Sequence, residues 1–138
     1  YNLGGGGTAT SGLVMGGFLN SPATTYDNTE TWNGTSWTEV NDMNTARKQN
    51  DASGTSSSSA IYAGGDTATV IGSALTEIWN GTSWAEDTDL NTARGSTGSS
   101  GTAASALCSG GNDGTSNLAA TEEWTGAGAP VTETITSS

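Results

Sequence analysis

The sequence predicts an all-β fold of three four-stranded antiparallel units in a single repeat domain, residues 1–138. The first observation behind this prediction is an internal repeat: the stretch from Thr29 to Arg47 returns from Thr76 to Arg94, an offset of 47 residues, and opens a third time at Thr121. Self-similarity at a period of 20–50 residues indicates a solenoid, propeller or array. The second observation is that short apolar runs alternate with glycine-rich turns, while no helical periodicity is sustained.

The repeat divides the domain into approximate units of residues 1–47, 48–94 and 95–138. Units two and three each begin just after the Thr-Ala-Arg that ends the unit before, so we expect the chain to start at a repeat boundary. The third unit lacks the second tryptophan and the arginine. Terminal repeats are often atypical because they cap an array, and we therefore expect the third unit to be the real end of the protein.

The second strand of each unit is predicted to be buried. It is an apolar run closed by two glycines, and runs of this length bounded by turn residues are typical of buried strands. The paired glycines permit positive φ or a close backbone approach. Cys108 aligns with Val14 and Tyr62 on this strand and is expected to be a buried structural residue. The three runs are Gly12–Gly17, Ala60–Gly65 and Ala106–Gly111.

Polar loops follow the glycine pairs and are the predicted binding surface. They differ in sequence and length more than other parts of the repeat, and loops on a repeat scaffold are where binding specificity usually lies. The three loops are Phe18–Thr24, Asp66–Ser73 and Asn112–Ser116. The candidate binding residues within them are Phe18, Asn20, Asp66, Asn112 and Asp113.

A hairpin is predicted to join the third and fourth strands of units one and two. Its turns are Asn33-Gly34 and Asn80-Gly81. Asn-Gly is the strongest short hairpin signal, because a type I′ turn needs positive φ at both positions. In unit three residues 125–130 replace this hairpin. The expected last strand is Val131–Thr136, with Val131, Glu133 and Ile135 on one face.

The charge of the chain argues against two classes of partner. The formal net charge is −11, from 14 acidic and 3 basic residues, and the cations are Arg47, Lys48 and Arg94. Nucleic-acid binding and adsorption to anionic membranes both need clustered Lys and Arg, and no apolar run reaches transmembrane length. We expect no nucleic acid and no membrane insertion. The acidity favours solubility and repulsion between copies, with a Ca²⁺-binding surface as the alternative.

The residue types present predict a protein that is not an enzyme. Cys108 is the only cysteine, so no intrachain disulfide forms, and the chain has no histidine for a triad or a metal. Carboxylates that could pair for glycoside hydrolysis belong to the repeat itself, and residues copied from unit to unit usually serve the scaffold. We therefore predict no catalytic residue, no cofactor and no metal site.

The repeated tryptophans and arginines are predicted to be structural. Aromatic side chains bury large areas, so the tryptophans are expected to pack sheet against sheet, with carbohydrate stacking as the alternative. Arg47 and Arg94 are expected to hold neighbouring units together through carbonyls or through carboxylates such as Glu30 and Glu77, with a role as ligand anchors as the alternative. The tryptophans are Trp32, Trp37, Trp79, Trp84 and Trp124.

These features together resemble the kelch repeat: a glycine pair closing an apolar strand, an aromatic residue, a tryptophan-bearing hairpin and a trailing arginine. In unit one the matching residues are Gly16-Gly17, Tyr26, Trp37 and Arg47. Unit two keeps Gly64-Gly65, Trp84 and Arg94, and unit three keeps Gly110-Gly111 and Trp124. The resemblance implies β-propeller blades, each a four-stranded sheet. Closed propellers typically need 4–8 blades, so we expect a homo-oligomer, with two chains closing a ring, or a prism or open stack.

The phrases Asn-Gly-Thr-Ser-Trp and Asn-Thr-Ala-Arg resemble, more closely still, the repeat proteins of bacteriophage particles and tails. This resemblance implies a structural or adhesive component of a virus particle, located in the virion or extracellularly, whose variable loops recognise a host surface, a glycan or another virion protein. One alternative is a subunit of an extracellular filament. Another is a carbohydrate-binding lectin or a carbohydrate-active enzyme.

Overall fold

The computed structural model describes residues 2–126 and 131–134, with side chains for the first range only. Within these residues it contains fourteen strands and no helix, which confirms the all-β prediction. The strands are β1 (Gly4–Thr8), β2 (Ser11–Met15), β3 (Phe18–Asn20), β4 (Ala23–Thr25), β5 (Thr29–Trp32), β6 (Trp37–Glu39), β7 (Ser53–Ser56), β8 (Ser59–Ala63), β9 (Thr76–Trp79), β10 (Trp84–Asp87), β11 (Gly98–Thr102), β12 (Ser105–Ser109), β13 (Ala120–Trp124) and β14 (Val131–Thr134).

The described strands form three four-stranded antiparallel sheets and one two-stranded hairpin. Sheet one has the order β1-β2-β5-β6, sheet two β7-β8-β9-β10 and sheet three β11-β12-β13-β14. Three four-stranded antiparallel units are therefore present, as the repeat predicts. The predicted last strand appears as β14. Its continuation to Thr136, and the facing of its side chains, lie outside the described residues.

The first of the predicted polar loops, Phe18–Thr24, forms a short hairpin, which the sequence analysis did not predict. Strands β3 and β4 pair Phe18 with Thr25 and Asn20 with Ala23. Phe and Thr favour strands, and they flank a Ser-Pro turn here. The polar composition of the segment concealed this pattern.

The hairpins between third and fourth strands form, but without the predicted type I′ turn. Trp32 pairs directly with Trp37, so the connection runs from Asn33 to Ser36. Gly34 has φ of 92°, whereas Asn33 is not at positive φ. The Asn33 Oδ1 atom accepts the N–H groups of Thr35 at 2.9 Å and Ser36 at 3.0 Å. The side chain thus closes a wider turn, and only the glycine needs positive φ.

Strand alternation gives each sheet two faces. We call the face that carries Glu30, Glu77 or Glu122 the leading face and the opposite one the trailing face. In sheets two and three the leading face is turned toward the preceding unit. Leu13 and Met15 on the trailing face of sheet one pack in one cluster with Tyr62 and Trp79 on the leading face of sheet two. Ile61 on the trailing face of sheet two packs with leading-face residues of sheet three, which are Ala106 and Trp124. The core therefore lies between sheets.

Small residues form the first strand of each sheet because these strands converge. Strand β7 contacts both β1 and β11, and the three strands consist only of Gly, Ser and Thr. A Cβ added to Gly6 would lie 2.9 Å from the carbonyl oxygen of Gly54. A side chain at Gly6 would therefore push the neighbouring sheets apart.

A short backbone ladder crosses the three units beside these strands. Asn2, Gln49 and Ser96 recur every 47 residues and have φ of 65°, 56° and 57°. The Gln49 N–H donates to the Asn2 carbonyl at 3.1 Å, and the Ser96 N–H donates to the Gln49 carbonyl at 2.5 Å. Positive φ is uncommon outside glycine, so the surrounding structure holds these three residues in place.

Candidate functional site

Arg47 joins units one and two through a buried set of bonds. Its Nη1 donates to the carbonyl oxygens of Gly64 at 3.0 Å and Leu75 at 2.6 Å. Its Nη2 donates to Glu77 Oε1 at 2.7 Å, and the two side chains are 0% and 1% exposed. Because the guanidinium is a planar fork of donors, one residue ties the end of unit one to the ends of β8 and β9.

The segment before Arg47 completes the grip on the carboxylate of Glu77. The Asn44 N–H and amide donate to Glu77 Oε2 at 2.8 Å and 2.9 Å, and the Thr45 N–H donates to Oε1 at 3.3 Å. A buried carboxylate needs several such bonds to offset its desolvation. The repeated phrase Asn-Thr-Ala-Arg is therefore a carboxylate-binding segment.

The junction of units two and three repeats this arrangement, which we call the arginine clamp. Arg94 Nη1 donates to the carbonyls of Gly110 at 3.0 Å and Ala120 at 2.8 Å, and Nη2 donates to Glu122 Oε1 at 2.8 Å. The Asn91 N–H donates to Glu122 Oε2 at 2.6 Å. Each arginine thus clamps the glutamate of the following unit. Of the two glutamates suggested from sequence, Glu77 takes this role and Glu30 is exposed.

Both clamp arginines are 0% exposed, so neither is available as a surface ligand anchor. Burial lowers the pKa of Arg47, and the opposing effect of Glu77 favours its charged form. The Arg47 guanidinium also lies over the ring of Tyr62, 4.7 Å from its centroid. Cation–π contacts of this kind strengthen when desolvated. The arrangement is suited to holding sheets together.

Tyr62, which lies beneath the first clamp, carries a hydroxyl that destabilises the folded state. Among the described residues this buried hydroxyl has no hydrogen-bond partner, and such a group costs about 1–3 kcal/mol. Tyr62→Phe keeps the ring under Arg47, so we expect the free energy of unfolding at neutral pH to rise by about 0.5–1 kcal/mol. Urea denaturation followed by tryptophan fluorescence measures this change.

The contribution of the Tyr62 hydroxyl to the free energy of unfolding also changes at alkaline pH. Burial raises the pKa of Tyr62 above its usual range. The unfolded chain loses this proton near pH 10, and the folded chain keeps it. The stability from this residue is therefore complete below about pH 10 and is lost as pH rises toward the folded-state pKa. The natural chain should weaken more steeply above pH 10 than Tyr62→Phe, and parallel curves would contradict the prediction.

Three tryptophans lie between sheets and two lie at an open face. Trp79, Trp84 and Trp124 are 1%, 6% and 5% exposed, and the Trp84 Nε1–H donates to Thr29 Oγ1 across the first junction at 2.9 Å. Trp32 is half-buried and Trp37 is 48% exposed. These two pack together at 5.4 Å between ring centroids. They differ from Trp79 and Trp84 because no described unit covers the leading face of sheet one.

The candidate binding residues of the loops have unequal positions. Asn20 is exposed and Phe18 is half-buried, with Lys48 Nζ 3.8 Å from its ring centroid. Asn112 and Asp113 are half-buried. Asp113 Oδ1 accepts the N–H groups of Ser116 and Thr115, both at 2.7 Å, and these bonds lower its pKa. Asp113 therefore shapes its own loop.

Asp66 does not lie at the surface as the sequence suggested. It is 5% exposed, and its Oδ1 accepts the N–H of Gly72 at 2.9 Å. Its backbone pairs with Lys48 in an isolated bridge. The acidic side chain closes the loop from inside, which sequence polarity alone does not reveal.

Sequence reasoning missed the apolar residues of these loops. Leu19, Val70 and Ile71 are 38%, 53% and 61% exposed. Val70 and Ile71 lie in the second loop, which touches the third: a Cβ on Gly114 would lie 3.2 Å from the Ile71 carbonyl oxygen. The available signal was an apolar pair, Val70-Ile71, inside an otherwise polar loop.

Cys108 is buried at 5% exposure, and burial raises the pKa of its thiol. Within the described residues no group of three or more Cys, Asp and Glu side chains could hold a metal ion. That part of the chain also contains no helix long and apolar enough to cross a membrane.

Neither the models of known protein families nor the curated protein sequences yield a match to this chain.

Proposed function

We propose that this chain is a non-enzymatic structural and adhesive component of a virus particle, built from kelch-like propeller blades. The observation that carries the adhesive role is the exposure of Leu19, Val70 and Ile71 on the loops between second and third strands. Contiguous exposed apolar surface often marks an interaction site, and Val70 and Ile71 are adjacent in the second loop. Aliphatic side chains suit contact with a protein surface better than stacking on a sugar ring.

The two arginine clamps supply the rigidity that the proposed function requires. Two buried arginine clamps fix successive sheets to one another, so the loops that follow each glycine pair keep a defined arrangement. Lys48 links the first two loops, because its side chain lies over Phe18 and its N–H donates to the Asp66 carbonyl at 2.9 Å. Binding residues held on a rigid scaffold lose less entropy when a partner docks.

Assembly completes the proposal. Three blades are fewer than the 4–8 of closed propellers, so blades from outside residues 1–138 complete the array. Apolar side chains at both ends support this: Trp37 on the leading face of sheet one and Leu107 on the trailing face of sheet three are 48% and 47% exposed. The phrase Asn-Gly-Thr-Ser-Trp and its resemblance to phage repeats support a virion or extracellular location.

Changing the loop residues tests the adhesive role. The double variant Val70→Ser, Ile71→Ser should lose at least about tenfold in affinity for the recognised surface, because an aliphatic side chain that becomes fully buried on binding contributes about 1.5–3 kcal/mol. Binding of the purified chain to host cells measures this. Leu107→Ser is the matched control, since its exposure is similar and it lies on an end face. Equal binding by both variants would refute a role for the loops.

A virion location has its own test. Proteomic analysis of gradient-purified particles should find the chain at a fixed ratio to the major structural proteins. Its absence from such particles, with presence in the culture medium, would favour the second candidate, a subunit of an extracellular filament. The open end faces are the observation that favours stacking, and negative-stain images of the purified chain would then show helical symmetry.

A further inference from the structure

We propose that the leading face of sheet one is a binding groove for an arginine side chain, and that its occupant is a further repeat unit of this type, supplied from outside residues 1–138, that ends in an unpaired Asn-Xaa-Ala-Arg segment. This inference rests on the proposed structural role, and it names the chemistry of the partner at that end of the array.

The two clamps define what such a groove contains. Each arginine meets two carbonyl oxygens, one directly after the second strand and one at the start of the third strand or directly before it, together with a carboxylate on the third strand. In sheet two the two carbonyl-bearing residues are Gly64 and Leu75, joined by the bond from the Gly64 N–H to the Leu75 carbonyl. In sheet three they are Gly110 and Ala120, joined in the same way.

Sheet one carries the same groups. The Gly16 N–H donates to the Asn28 carbonyl at 2.9 Å, which makes this the equivalent pair. Glu30 lies opposite Val14, as Glu77 lies opposite Tyr62 and Glu122 opposite Cys108. An open groove is lined by Val14, Gly16, Asn28 and Glu30 together with Glu39 and Leu3. The donors of a clamp would find their acceptors here.

The surroundings of the groove also match those of an occupied junction. Trp32 and Trp37 stand where Trp79 and Trp84 stand in sheet two, and the paired rings have nearly the same geometry, 5.4 Å and 41° against 5.5 Å and 44°. Trp84 is covered by unit one, whereas Trp37 is 48% exposed. A docked unit would bury Trp37 as unit one buries Trp84.

Charge points to a cationic partner. Glu30 pairs in register with Glu39, so two carboxylates lie side by side on one face. Among the described residues Glu30 forms no ion pair, in contrast to Glu77 and Glu122. Like charges opposite one another are unfavourable, and an arriving guanidinium would relieve this repulsion.

A folded second copy of the chain cannot supply the arginine. The chain has 3 basic residues. Arg47 and Arg94 are held in buried pairs with Glu77 and Glu122, and Lys48 lies over Phe18. The occupant is therefore a unit whose closing arginine is not already clamped.

The first experiment titrates the full chain with a synthetic peptide of the sequence of residues 41–47, followed by NMR. We expect saturable shifts of the Trp37 indole and Glu30 signals at millimolar peptide, lost when the peptide arginine is replaced by glutamine or when the chain carries Glu30→Gln. Glu30 is exposed, so this variant keeps its fold. Equal shifts from the glutamine peptide, or none from the native one, would overturn the proposal.

A second measurement supplies a whole unit. A chain lengthened at its amino terminus by a copy of residues 48–94 places an arginine segment directly before Tyr1. There, Glu30→Gln should lower the melting temperature by at least about 6 °C, and in the original chain by less than about 1 °C. Equal shifts in the two chains would overturn the proposal. So would self-association of the original chain that Trp37→Ala abolishes, because a second copy would then cover the face. Neither result bears on virion location or loop binding.

Discussion

Replacing Arg47 with methionine is expected to cost about 3–5 kcal/mol of the free energy of unfolding. The substitution leaves the buried carboxylate of Glu77 without its cation and the carbonyls of Gly64 and Leu75 without their donor. Small domains are stable by only about 5–15 kcal/mol. Urea denaturation followed by far-UV circular dichroism measures the loss, and a chain that is largely unfolded without urea also agrees with it.

Two further variants separate the clamp from a general loss of packing. Arg47→Met combined with Glu77→Gln should recover part of the loss, because the uncompensated buried charge is gone. Glu30→Gln, at the equivalent position of sheet one, should change stability by less than about 0.5 kcal/mol because that residue is exposed. If Glu30→Gln and Glu77→Gln were equally costly, burial in the clamp would not be the source of the stability.

Replacing Trp84 with alanine is expected to cost about 3–5 kcal/mol. Its ring is 6% exposed in the core between sheets one and two, and its Nε1–H bonds Thr29 Oγ1. The variant would leave a cavity at the junction and a buried hydroxyl without its donor. Thermal and urea unfolding of the purified chain measure the cost.

Trp37→Ala is the matched control for this prediction. The two tryptophans occupy the same position in successive repeats, 47 residues apart, and both pair with the tryptophan of the preceding strand. Trp37 is 48% exposed, so its removal should cost less than about 1.5 kcal/mol. Equal costs at the two positions would mean that the contact between units contributes little and that each hairpin is stabilised within itself.

These paired positions show what sequence could and could not predict. The strands and the buried second strands follow from local patterns, namely alternation, paired glycines and the repeat itself. The glycine pairs take positive φ in all three units, with Gly16 at 65°, Gly64 at 81° and Gly110 at 66°. Such features depend on residues a few positions apart, so they can be read from the chain directly.

Features that depend on position in the array could not be read in this way. Trp37 and Trp84 have nearly the same neighbours in sequence and differ in exposure because, within the described residues, only Trp84 has a preceding unit packed against it. For the same reason sequence could suggest a glutamate partner for Arg47 but not decide between its own unit and the next. The burial of Asp66 and the positive φ of Gln49 arise where units meet, and no local pattern marks either residue.

The order of donor and acceptor in the clamp has a consequence for synthesis on the ribosome. Arg47 comes 30 residues before Glu77, and Arg94 comes 28 residues before Glu122. At about 5–20 residues per second, each arginine emerges about 1.5–6 s ahead of its glutamate. Units one and two therefore each keep an unpaired closing arginine until the next sheet has been made. The clamps therefore close in order from the amino terminus to the carboxyl terminus. A chain that stalls after an arginine but before its glutamate keeps that arginine without its carboxylate partner.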